Sequence, residues 1–111
     1  MSNEMEEELL EKIKNAIDIT FDDEEYDQKV IGFIEDGIPF LRLRFGCKED
    51  DEIDWCAPGN ERMLLKNYCL YAINNMTSEF ADAYRSEIIN VRERYEVQQW
   101  KKENSTTTST E

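Results

Sequence analysis

The residues of this chain that bear on chemistry are its carboxylates and its three cysteines. Asp and Glu number 26, and there is no histidine. Without histidine the usual general base is missing, and so are the Ser-His-Asp and Cys-His arrangements. The four glycines are scattered and build no phosphate cradle. The densest acidic cluster is Glu49, Asp50, Asp51, Glu52 and Asp54. It lacks the glycine and the terminal glutamate that a calcium loop needs at fixed spacing. The reading is a solvated acidic loop, with no metal, no cofactor and no catalytic residue. Cys47, Cys56 and Cys69 are odd in number, and their spacing matches no zinc motif. Cys69 lies on an apolar helix face and reads as a buried structural thiol. Cys47 and Cys56 flank the acidic loop, where negative neighbours raise a thiol pKa and blunt its reactivity.

The elements that carry these residues read as helices. The first spans about 4–18, with Asn3 as its cap and Leu9, Leu10, Ile13, Ala16 and Ile17 on one face. Asp18 to Phe21 connects it to a second helix over about 23–45. There Tyr26, Val30, Phe33, Ile34, Ile38, Leu41 and Phe45 form a stripe. Pro39 sits inside that stripe, so a kink near Gly37–Pro39 is expected, with a break into two shorter helices as the alternative. Gly46 to Gly59 reads as a loop whose Ile53 and Trp55 tuck back onto the core. Asn60 is expected to cap a broadly apolar third helix over about 61–75. Thr77 or Ser78 should cap a fourth over about 79–102, with Phe80, Tyr84, Ile88, Val91 and Tyr95 facing inward. The short Asn75–Ser78 turn should fold the last two into an antiparallel hairpin. The expectation is an all-α, four-helix domain over 1–103. The polar stretch 104–111 reads as a flexible tail.

The net charge of −13 is unevenly placed: residues 1–58 hold 6 basic and 18 acidic residues, and residues 59–111 hold 7 and 8. Binding a phosphate backbone needs clustered Lys and Arg, so a nucleic-acid surface is disfavoured. No apolar run approaches the ~20 residues of a membrane helix. The acidic start MSNEMEEELL is unlike a signal peptide, and a reduced cytosolic setting is expected. Arg85, Arg92, Arg94, Lys101 and Lys102 concentrate on the last helix, with Trp100 beside them. They are the candidate contacts to a partner or a second copy. Acid at one end and base at the other suits head-to-tail association, which closes a ring when repeated by rotation.

Two blocks carry a resemblance. LLEKIKNAIDITFDDEEYDQKVIGFIEDGIPFLRLRFG has a short helix, a turn at Ile19-Thr20-Phe21-Asp22-Asp23, and a long helix ending at Gly46. MLLKNYCLYAINNMTSEFADAYRSEIINVRERYEVQQW has a Tyr71-Ala72 step, a turn at Asn74–Asn75, and a final helix rich in Tyr, Glu and Arg. In order and lengths the chain resembles the head–tail connector subunits of tailed bacteriophages. Pro39, the acidic loop and the Ser/Thr tail depart from that pattern. The resemblance implies a non-catalytic ring of about a dozen copies. Such a ring docks on the portal after DNA packaging and receives a stopper or tail-completion protein. DNA passes its lumen without specific binding, and its place is the virion, after assembly in the host cytoplasm. The other reading weighed is an acidic inhibitor or DNA mimic that blocks a basic partner.

Overall fold

A computed structural model describes residues 3–16, 24–49 and 51–109. The described residues form an all-α domain of five helices: α1 (Asn3–Ala16), α2 (Glu24–Phe45), α3 (Asn60–Ile73), α4 (Thr77–Ala83) and α5 (Arg85–Ser109). The Asp18–Phe21 connection, Ile17 and the rest of the turn through Asp23 lie outside the described residues. So do the side chains of Asn3, Ala16 and Tyr26.

The apolar spacings decide which faces turn inward. Leu9, Leu10 and Ile13 of α1 are buried, as are Val30, Ile34, Leu41 and Phe45 of α2. So are Leu64, Leu65, Tyr68, Cys69 and Ala72 of α3, and Phe80, Ile88, Val91 and Tyr95 of the last two helices. Two aromatic groups organise this core. Phe80 packs against Tyr68 at 5.5 Å, Tyr71 at 5.7 Å, Phe40 at 6.0 Å and Tyr84 at 5.0 Å between ring centroids. Phe45 stacks between Trp55 at 6.4 Å and Tyr95 at 6.1 Å. Lys14 is buried as well, and its Nζ meets Asp27 Oδ1 at 2.8 Å, tying α1 to the first turns of α2. A buried ammonium is tolerated only with such a partner.

α2 is one helix through Pro39, as the leading expectation had it, and the break into two shorter helices does not occur. Other local expectations are corrected. The stretch read as a single fourth helix is two, α4 and α5, divided at Tyr84 with φ −114° and ψ 24°. The Tyr84 ring lies against both Tyr71 and Phe80, so tertiary packing is satisfied where the helix loses regularity. The helix also runs past its expected end near 102, to Ser109. Extending an existing helix is far easier than nucleating one. Asn60 is the first residue of α3, after an N-cap at Gly59 that provides no side-chain cap. Met76 stands in the same place before α4, so neither Thr77 nor Ser78 is the cap.

Helix ends are closed by matching motifs. Gly46, at φ 70°, sends its N–H to Leu43 O, and Cys47 N–H reaches Arg42 O. Asn75, at φ 58°, sends its N–H to Ala72 O, and Met76 N–H reaches Tyr71 O. Both are Schellman closures, which need a left-handed residue and favour Gly or Asn there. The Cα radius of gyration is 16.1 Å and the extents are 59 × 31 × 19 Å. A compact chain of this length has a radius near 13 Å. The excess reflects α5, whose 25 residues span about 37 Å.

Candidate functional site

The acidic loop between α2 and α3 is held by its own polar groups. Arg42 Nη2 donates to Lys48 O at 2.7 Å, and Lys48 N–H donates to Asp51 Oδ2 at 2.8 Å. Cys56 N–H donates to Asp54 Oδ1 at 3.0 Å, and Arg62 Nη1 to Cys56 O at 2.9 Å. From α5, Gln99 Nε2 reaches Gly46 O at 3.3 Å and Asp51 Oδ2 at 3.4 Å. Trp55 is buried and Ile53 half-buried against the core, as expected of a loop that tucks back. The Lys48 N–H, helped by Gln99, Arg42 and Lys102, holds the Asp51 carboxyl below its ordinary pKa. Glu49, Glu52 and Asp54 are exposed, and Asp50 lies outside the described residues. Among the described residues no group of three or more Cys, Asp and Glu is placed to hold a metal ion. A groove of about 890 Å³ runs beside this loop, with Arg42 among Glu49, Asp51, Glu52 and Asp54.

The thiols have no activating neighbour strong enough to matter. Burial pushes Cys69 up to about 12. Burial also raises Cys47, where Asp51 and Glu61 add to it and Arg42 opposes it. Cys56 is raised by burial and then by Glu8 and Asp54. At both loop thiols burial is the largest cause; the Arg42 charge comes next at Cys47 and opposes it, and the acidic neighbours come next at Cys56.

The basic residues of the last helix do not converge. Arg85 pairs with Asp82 at 2.9 Å across the α4–α5 junction, and Arg92 with Glu96 at 3.2 Å within α5. Arg94 crosses to Glu61 of α3, whose Oε2 also accepts the Tyr95 hydroxyl at 3.0 Å. Lys101 and Lys102 are exposed. Trp100 is 62% exposed and Val97 50%. With Glu93 and Glu96 they line a shallow notch of about 440 Å³.

The Glu61 site carries a pH prediction. Burial alone would raise the Glu61 pKa, but the bonds from Arg94 and Tyr95 pull it below the ordinary 4.5. A carboxyl lowered in the fold contributes stability above its unfolded pKa, and that contribution is lost as pH falls through the folded value. Glu61→Gln is expected to cost about 1–2 kcal/mol at neutral pH. The difference from the parent chain should shrink below pH 4.5 in urea titrations. The difference is the right readout, because protonating other carboxylates relieves self-repulsion in both chains alike. At the alkaline end burial, then the Glu61 bond, raises Tyr95 to about 12. The folded state then holds a proton the unfolded chain has released, so stability falls as pH rises from 10 toward 12.

Three features went unread in the sequence. Leu43 is 76% exposed on the outer side of α2, and the Arg44 guanidinium lies over the Phe40 ring at 3.8 Å. Glu61 receives two bonds from residues more than thirty positions away. Lys12, Arg62 and Lys66 share a cleft of about 450 Å³ between α1 and the start of α3, a basic spot in an acidic protein. No helix among the described residues is long and apolar enough to cross a membrane. No family model matches the chain, and no curated protein or solved structure matches it either.

Proposed function

We propose that this chain is a non-catalytic, ring-forming subunit of the phage head–tail connector type, which docks on a portal after DNA packaging and receives a tail component. The observation that carries this is α5, a helix of 25 residues that exposes Val97 and Trp100 midway along its outer face. An exposed tryptophan on the outer face of a helix suits burial against another subunit, since aromatic anchors dominate interface energetics. On this reading α3 and α5 act as a hairpin, α2 bends at Pro39, and the segment from Asn104 rearranges when the portal is engaged. The acidic half lines the channel, where low affinity for passing DNA is useful. The inhibitor reading needs carboxylates in a rigid phosphate-like row. Glu49, Glu52 and Asp54 instead sit on an irregular loop, which favours the connector.

The test mixes purified full-length chain with the portal encoded alongside it and images the product by electron microscopy. The expected product is a ring stacked on the portal. A chain that joins neither portal nor tail component overturns the reading.

A further inference from the structure

We infer that copies of this chain associate head to tail, with the Leu43 knob on α2 of one copy seated in the Val97–Trp100 notch on α5 of the next. Leu43 follows Ile34 by nine positions, Val97 follows Ile88 by nine, and Trp100 follows Val91 by nine. Nine positions are two and a half helical turns, so each lies opposite a buried residue of its own helix. The two helices face one another near this end, through the stacked Phe45 and Tyr95 rings at 6.1 Å and the Gln99–Gly46 bond. Their outer faces therefore point in opposite directions. Knob and notch sit at the same end of the molecule but on opposite sides.

Chemistry matches as well as placement. Exposed Pro39 is one turn before Leu43, and the Arg44 guanidinium beside it lies 3.8 Å above the Phe40 ring centroid. The knob is thus an apolar tip with a positioned cation. The notch pairs Val97 and Trp100 with Glu93 and Glu96, an apolar floor with carboxylates at its rim, of which Glu96 also holds Arg92. Leucine fits the floor while Arg44 meets the carboxylates. Two knobs, or two notches, would bring like charges together. A contact between different patches on opposite sides does not close on two copies; it continues into a ring or filament. This contact rests on the assembly reading above and replaces the basic face of the last helix as the expected joint.

The net charge of −13 makes copies repel at long range, so association is measured at about 0.15 M salt, where repulsion is screened. Sedimentation of the full chain should show assembly beyond two copies. Leu43→Glu and Trp100→Glu should each weaken it about ten- to hundred-fold, with circular dichroism unchanged. The decisive arm mixes the two variants. One retains a good knob and the other a good notch, so the mixture should form a one-to-one dimer and stop there. A parent chain that stays monomeric up to about 1 mM, or halts at a symmetric dimer, overturns the inference. So does a mixture that forms no dimer. If the chain joins a portal while Leu43→Glu still assembles as the parent does, this contact fails and the connector reading stands. If assembly follows this contact but no portal is bound, the reverse holds.

Discussion

Phe45→Ala should destabilise the domain by about 3–5 kcal/mol, a large share of the roughly 5–15 kcal/mol available to a domain. Phe45 is fully buried and stands between Trp55 of the acidic loop and Tyr95 of α5. It is where α2, the loop and α5 meet. Truncation leaves a cavity bounded by two large rings, and rings cannot spread to fill it as flexible aliphatic chains do. The loop loses its main apolar attachment, although the bonds from Arg42, Arg62 and Gln99 remain. Urea unfolding followed by circular dichroism gives the stability change. In a Trp100→Phe background the remaining tryptophan is Trp55, and its emission should shift toward that of exposed indole before global unfolding. A loss below about 1 kcal/mol would mean that Phe45 is not the joint described here.

Helical periodicity made most of the core legible. Of the α2 stripe, Val30, Ile34, Leu41 and Phe45 are buried and Phe33 and Ile38 half-buried against them; of the later stripe, Phe80, Ile88, Val91 and Tyr95 are buried and Tyr84 half-buried. Periodicity reports which side of a helix turns inward, but not how two helices meet. Arg94 and Glu61 are far apart in sequence, and Arg94 looked like one of several outward cations until α3 and α5 were side by side. Nor does periodicity locate an irregularity caused by packing, as at Tyr84, where residue type alone gives no reason to stop.

Leu43 shows a different kind of miss. Its exposure was readable from the sequence, because it lies between inward-facing Leu41 and Phe45 and two positions from each. An isolated exposed leucine is ordinary and draws no attention. Its interest comes from the notch on the opposite side of the molecule, and that relation exists only in three dimensions. The basic residues of the last helix drew the eye instead, yet Arg85, Arg92 and Arg94 each have an acidic partner within the chain.

Two glycines of α2 should respond in opposite directions to the same added carbon. Gly32 has nothing within 4 Å of a Cβ built on it, so Gly32→Ala should gain about 0.5–1 kcal/mol from helix propensity. A Cβ at Gly37 would lie 2.7 Å from Tyr68 Cδ1 and 2.9 Å from Leu65 Cδ1. Neither neighbour has room to withdraw. Leu65 is fully buried, and the Tyr68 ring is wedged between Phe40 at 5.2 Å and Phe80 at 5.5 Å. Gly37 is therefore the position where α2 and α3 come close enough for that aromatic group to form. Gly37→Ala should forfeit its propensity gain, and Gly37→Val, with two more carbons, should cost about 3 kcal/mol by forcing the helices apart. Thermal melts of Gly32→Ala, Gly37→Ala and Gly37→Val should fall in that descending order around the parent. If Gly37→Val melts with the parent, α2 and α3 do not cross at this glycine, and the Phe40–Tyr68–Phe80 packing would need another origin. If it melts far below while Gly32→Ala rises, the helix needs glycine at position 37 to admit its neighbour, because backbone freedom alone would predict the same response at both sites.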